Sequence, residues 1–159
     1  MTSRFHSILA RAAIGLFIAL LVSGVGAYMW LSKRYEVPTG SDVFDVVQGR
    51  WAWTTDSGGC TTKWHSITFS PDHRVMTIAA SEPYEGADGK LDSVAVYDIL
   101  EHTRGRIRGA IRGETRLTDS GEPVVWDLVL RSPNRYAWHR TDWPSVSLTR
   151  EIQRCEASR

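Results

Sequence analysis

Cysteine is scarce in this chain, with two residues in 159. Two thiols are too few for a disulfide-dense miniprotein or a four-thiolate zinc site. No Cys-x-x-Cys-His is present, which excludes covalent haem attachment. The histidines show no His-x-x-x-His spacing, so no metal motif is written in the chain. The Gly-x-Ser-x-Gly elbow of a serine hydrolase is missing, as are the Gly-x-x-x-x-Gly-Lys and Gly-x-Gly-x-x-Gly phosphate cradles. Asp98, Asp127 and Asp142 have no spacing that makes an acid–base pair. The expectation is a protein without a cofactor or metal that is not an enzyme. Hydrophobic residues at 42% and charged residues at 23% exclude collagen-like, low-complexity and wholly disordered chains.

Acid is absent from residues 1–35, which carry Arg4, Arg11, Lys33 and Arg34. All 18 acidic residues lie beyond them, so the body is mildly acidic although the whole chain is +1. An acidic body lacks the basic face of a nucleic-acid binder, and nucleic acid is not expected as a partner. Charge of either sign is absent from Ala12 to Leu31. As a helix this run is about 30 Å long, the thickness of a bilayer's hydrocarbon core. Tyr28 and Trp30 stand at its end, where aromatic rings favour the interface. The expected organisation is a cytoplasmic arm over 1–11, a transmembrane signal anchor over 12–31, a linker over 32–42 and a folded domain over 43–159. The chain would cross the cell inner membrane once, with its C-terminal domain in the periplasm or another extracytoplasmic space. A cleaved signal peptide ending near Val25-Gly26-Ala27 is the alternative.

What the body does contain is a series of short β-type segments separated by turn formers. The segments are Arg50–Thr55, Lys63–Ser70, Arg74–Ala80, Leu91–Leu100, Arg106–Arg116, Val124–Arg131, Arg135–Arg140 and Val146–Arg154. Between them stand groups such as Ser70-Pro71-Asp72, Arg104-Gly105 and Ser132-Pro133-Asn134. Connections of hairpin length with no helical crossover disfavour a parallel sheet. The expected fold is all-β, a single antiparallel up-and-down barrel that removes exposed edges. A β-sandwich is the alternative.

The stretch Phe44-Asp45-Val46-Val47-Gln48-Gly49-Arg50-Trp51 resembles the opening of lipocalins, in which a turn of helix precedes Gly-x-Trp at the start of the first strand. The resemblance implies an eight-stranded barrel whose base is closed by Gly49 and Trp51 together with an arginine near the end of the last strand. Arg150 and Arg154 lie in the matching region. An arginine over an indole gains a cation–π contact of about 0.5–2 kcal/mol. Cys60 and Cys155 are candidates for a disulfide, yet a simple eight-strand meander puts them at opposite ends. A miscounted strand, a C-terminal tail that turns back, or free thiols would each resolve the conflict.

Two groups are candidate binding residues. Trp53, Tyr97, Trp126 and Trp138 would line an apolar cavity, although aromatic rings also fill small barrel cores. Arg104, Arg106, Arg108, Arg112 and Arg116 alternate along one face of the fifth segment, either as a solvated outer face or as a ladder for an anionic headgroup or acidic partner. The expected function is a membrane-anchored, lipocalin-like module that binds a small hydrophobic ligand or lipid, apolar or amphipathic. The alternative is an accessory or assembly protein that contacts a membrane-protein partner without its own ligand.

Overall fold

A computed structural model describes residues 35–54, 58–85 and 89–155. The arm over 1–11 and the apolar run Ala12–Leu31 lie outside the described residues. Among those described, no helix is long and apolar enough to cross a membrane.

A short helix, α1 (Val43–Val47), leads into β1 (Gly49–Trp53), β2 (Trp64–Phe69), β3 (Val75–Glu85), β4 (Leu91–Thr103), β5 (Arg106–Ile111), β6 (Val125–Ser132), β7 (Arg135–Arg140) and β8 (Ile152–Arg154). Each strand pairs antiparallel with the next, and β8 returns to β1, so the sheet closes into an eight-strand barrel in sequence order. Closure leaves no unpaired edge. It also sorts side chains by the period of two: Trp51, Ile67, Ile107, Leu128, Leu130, Tyr136 and Ile152 all join one buried interior.

Asp42 starts α1 by accepting from the Phe44 N–H at 3.0 Å. The helix buries Val43, Phe44 and Val47 against the barrel core, and the Phe44 ring meets Phe69 edge-on at 4.9 Å. The stretch Tyr35–Asp42, read as linker, is tied to the same end. The Tyr35 N–H donates to the Leu130 carbonyl at 3.2 Å, the Val37 N–H to that of Arg104 at 2.8 Å, and Val37 is buried.

Four strands depart from the sequence expectation by three residues or more, and one of them, β4, simply runs on past Leu100 to Thr103. β3 continues past Ala80 to Glu85 because a register shift between Ala79 and Tyr84 places Pro83 where no ladder N–H is needed. β5 stops at Ile111, not Arg116, since Gly113 turns the chain at φ +79° and the Glu114 N–H donates back to the Ile111 carbonyl at 3.2 Å. β8 begins at Ile152, not Val146. Upstream of it the Trp138 N–H donates to the Thr149 hydroxyl at 2.9 Å, so a side chain replaces the backbone carbonyl in the ladder.

Cys60 and Cys155 are bridged, with Cα atoms 5.4 Å apart and 95 residues of sequence between them. The eight-strand count holds and neither thiol is free. The resolution lies in the connection from β1 to β2, which turns back beside β1. The Arg50 guanidinium donates to the Cys60 carbonyl at 3.2 Å, and the Arg50 carbonyl accepts from the Cys155 N–H at 2.8 Å. Both cysteines therefore stand at the second residue of β1.

Candidate functional site

The two ends of the barrel are built differently. At the end carrying α1, Trp51 is fully buried and its indole N–H donates to the Val47 carbonyl at 2.8 Å. The Arg154 guanidinium covers the Trp51 ring at 4.4 Å and donates to the carbonyls of Gln48, at 3.0 Å, and Val46. Burial holds the Arg154 pKa below its ordinary value. Gly49 is required here twice over. Its φ is +133°, and a Cβ would stand 2.7 Å from Nη1 of Arg154. Of the two expected arginines, only Arg154 closes the base. Arg150 precedes β8, and its carbonyl accepts from the Thr149 hydroxyl at 3.1 Å.

The opposite end opens into a cavity of about 790 Å³. Trp53, Tyr97, Trp126 and Trp138, which come from four different strands, all line it. Tyr97 stacks on Trp138 at 5.3 Å with planes 12° apart, and Trp126 meets Trp138 edge-on at 6.3 Å. Trp143, in the connection after β7, meets Trp126 edge-on at 5.7 Å without itself lining the cavity. Offset stacks and edge contacts are the preferred ring geometries.

The floor carries a polar pair that the sequence reading did not single out. Nε2 of His65 lies 2.5 Å from the Tyr136 hydroxyl. His65 lies directly across from Trp51 in the β1–β2 register, and Tyr136 across from Ile152. Burial lowers the His65 pKa to about 4, so the ring is neutral at pH 7. Burial likewise pushes the Tyr136 hydroxyl well above its ordinary value, with Tyr97 adding to the rise and the Trp138 indole easing it. The signal was present in the alternation: His65, Ile67 and Phe69 share one face of β2, and Tyr136 and Trp138 one face of β7. Neither segment says which residue of the other it meets across the interior.

Glu114 is a second residue that sequence reasoning missed. Arg116 grips its carboxylate through Nε at 2.8 Å and Nη2 at 2.7 Å, while the Arg116 guanidinium lies 5.4 Å over the Trp126 ring. Burial would raise the Glu114 pKa, but the bonds from Arg116 outweigh it and the net direction is down.

The arginine series does not form one row, because β5 ends before Arg112. Arg104 sits in the turn before the strand and pairs with Glu36 at 2.6 Å. Arg106 and Arg108 lie together within β5. Arg108 binds Asp127 through Nε at 2.8 Å and Nη2 at 3.1 Å, and Arg106 pairs with Glu101. Arg112 binds Asp98 at 2.7 Å and Arg116 binds Glu114. Each guanidinium thus already has a carboxylate partner, which leaves less charge to offer an anionic headgroup. Asp127 is buried beneath this network with His139, whose Nδ1 stands 3.8 Å from it. His139 is on the outer face, so it does not meet His65 in the interior. Among the described residues no group of His, Cys, Asp and Glu is arranged to hold a metal ion.

Comparison with family models and with curated proteins gives no match. Among solved structures, the chain is similar to the crystal structure of Treponema pallidum Tp0751 (pallilysin) at 11% identity and a TM-score of 0.38, over 87% of this chain and 99% of that one.

Proposed function

We propose that the chain is a membrane-anchored, extracytoplasmic, lipocalin-like module that binds a small apolar or amphipathic ligand without transforming it. The observation that carries this reading is the cavity of about 790 Å³, open at one end and walled by Trp53, Tyr97, Trp126 and Trp138. Its volume falls in the range of small-molecule sites, and an aromatic wall with a few polar anchors is how such sites are composed. The charged lining residues suit an amphipathic ligand. Lys63, Glu82, Glu85, Asp92, Arg112 and Arg116 come from the rim ends of strands and from connections, so a polar head has partners at the mouth. The Cys60–Cys155 bridge supports an oxidising compartment. The uncharged run Ala12–Leu31 supplies the anchor in this reading.

The test is a native mass spectrum, with a solvent extract, of the full-length protein purified in mild detergent. The expected result is one small molecule retained in stoichiometric amount and released on unfolding. A chain that carries nothing but co-purifies with a membrane protein would favour the accessory role instead.

A further inference from the structure

The floor of the cavity is polar but carries no fixed charge. His65 and Tyr136 both line it, joined by the 2.5 Å contact between Nε2 and the hydroxyl. Tyr136 is fully buried. In either tautomer the pair retains one proton beyond the bond that joins its members. If the Tyr136 hydroxyl donates to Nε2, the imidazole N–H on Nδ1 is left to donate. If the N–H is on Nε2 and donates to the hydroxyl oxygen, the hydroxyl proton is left. His65 is only half-buried, so a donor it turns to the cavity is left to water when the site is empty, and a ligand that supplies an acceptor replaces that water where one that cannot loses the bond.

The surroundings define the rest of that ligand. The stacked Tyr97–Trp138 pair and the edge-on Trp126 present flat ring surfaces immediately above the floor. Tyr136 itself meets Trp138 edge-on at 5.9 Å. The six charged lining residues belong to the rim, so a charged group pushed to the floor would lose its hydration with no counter-ion beside it. A saturated chain would satisfy the walls but leave the donor bare.

We infer that the cavity takes a flat, conjugated ring compound that enters ring first and sets a neutral oxygen acceptor, a ring or aryl carbonyl, against the His65–Tyr136 pair. This deepens the proposed function and rests on it. The neutral state of His65 at pH 7 is consistent with such a donor, since burial keeps the ring unprotonated well below neutrality.

Three probes of nearly equal size separate the possibilities: 2-acetylnaphthalene, 2-ethylnaphthalene and 2-naphthoate. Dissociation constants are measured on the full chain in dodecylmaltoside, corrected for each probe's partition into the micelle. A merely apolar pocket prefers the ethyl compound, which is the more hydrophobic. The inference predicts the reverse, with the acetyl compound at least tenfold tighter than the ethyl and the naphthoate weakest. In Tyr136→Phe and His65→Phe the acetyl-to-ethyl ratio falls to about one or below, and near-ultraviolet circular dichroism checks that each variant is folded. The wild-type ratio decides the matter even if neither variant folds. Equal or tighter binding of the ethyl compound overturns the inference and leaves the binding module standing. Tightest binding of the naphthoate overturns it in favour of a cationic floor. Binding of none of the three overturns both the inference and the ligand-binding reading.

Discussion

The base and the mouth of this barrel use the same residue types to opposite ends. At the base, Trp51 is wholly enclosed, its indole N–H is satisfied by Val47, and Arg154 lies over its face. At the mouth, Trp53 is two residues further along the same strand and on the same face, yet it borders empty space. The difference arises from what covers each end. Residues 35–47 fold across the base and supply Val37, Val43, Phe44 and Val47 to the core. Among the described residues no comparable segment fills the mouth, where the connections carry charged side chains. Aromatic residues thus pack into the core at one end and wall a cavity at the other.

Substitutions at the two ends are expected to separate these roles. Trp51→Ala removes a large buried ring, its hydrogen bond and the seat of Arg154, and should cost roughly 3–5 kcal/mol, read by urea unfolding. Cys60→Ser unpins the β1–β2 connection from the end of β8, and a loss of roughly 2–5 kcal/mol is expected from the same measurement.

His65 predicts a pH dependence centred on the cavity floor. Its folded pKa, about 4, lies below the ordinary value of 6.5, so the unfolded chain takes up the proton first as pH falls. Stability should decline from about pH 6.5 and stop declining near pH 4. At roughly 1.4 kcal/mol per unit the loss is on the order of 3 kcal/mol. His65→Gln should flatten that part of the pH–stability curve; an unchanged slope would place the titration elsewhere. The smallest stability effect is expected at the mouth. Trp53→Ala should cost only about 1–2 kcal/mol, since Trp53 is only half-buried, while weakening retention of an apolar probe several-fold. If Trp53→Ala proved as damaging as Trp51→Ala, the contrast between the ends would fail.

Much of the base was legible because its logic is local. Gly49-Arg50-Trp51 follows a short helix within eight residues of sequence, and strand closure brings the end of the last strand to it, although the choice between Arg150 and Arg154 stayed open. Trp53, Tyr97, Trp126 and Trp138 stood out as candidate lining residues, but alternation does not label every face and does not separate a cavity wall from a filled aromatic core. Features that depend on register between distant segments were not legible. The contact of His65 with Tyr136 depends on how β2 and β7 stand across the interior, and the seating of Glu114 beside Trp126 depends on a turn at Gly113. The arginine row was extrapolated through that glycine as if the strand continued. The cysteine pairing conflicted with a simple meander because a connection that doubles back beside its own strand leaves no periodic trace.

The account rests on a sealed base beneath an open aromatic mouth, and one measurement addresses that directly. The full-length protein, labelled with ¹⁵N-tryptophan and held in detergent micelles, is titrated with N-phenyl-1-naphthylamine while the indole N–H resonances are followed. The account predicts that the signals of Trp53, Trp126 and Trp138 shift together and saturate at one equivalent, with Trp51 unmoved. A shift at Trp51 that leads or matches the others, or no saturable shift at the three mouth residues, would contradict it.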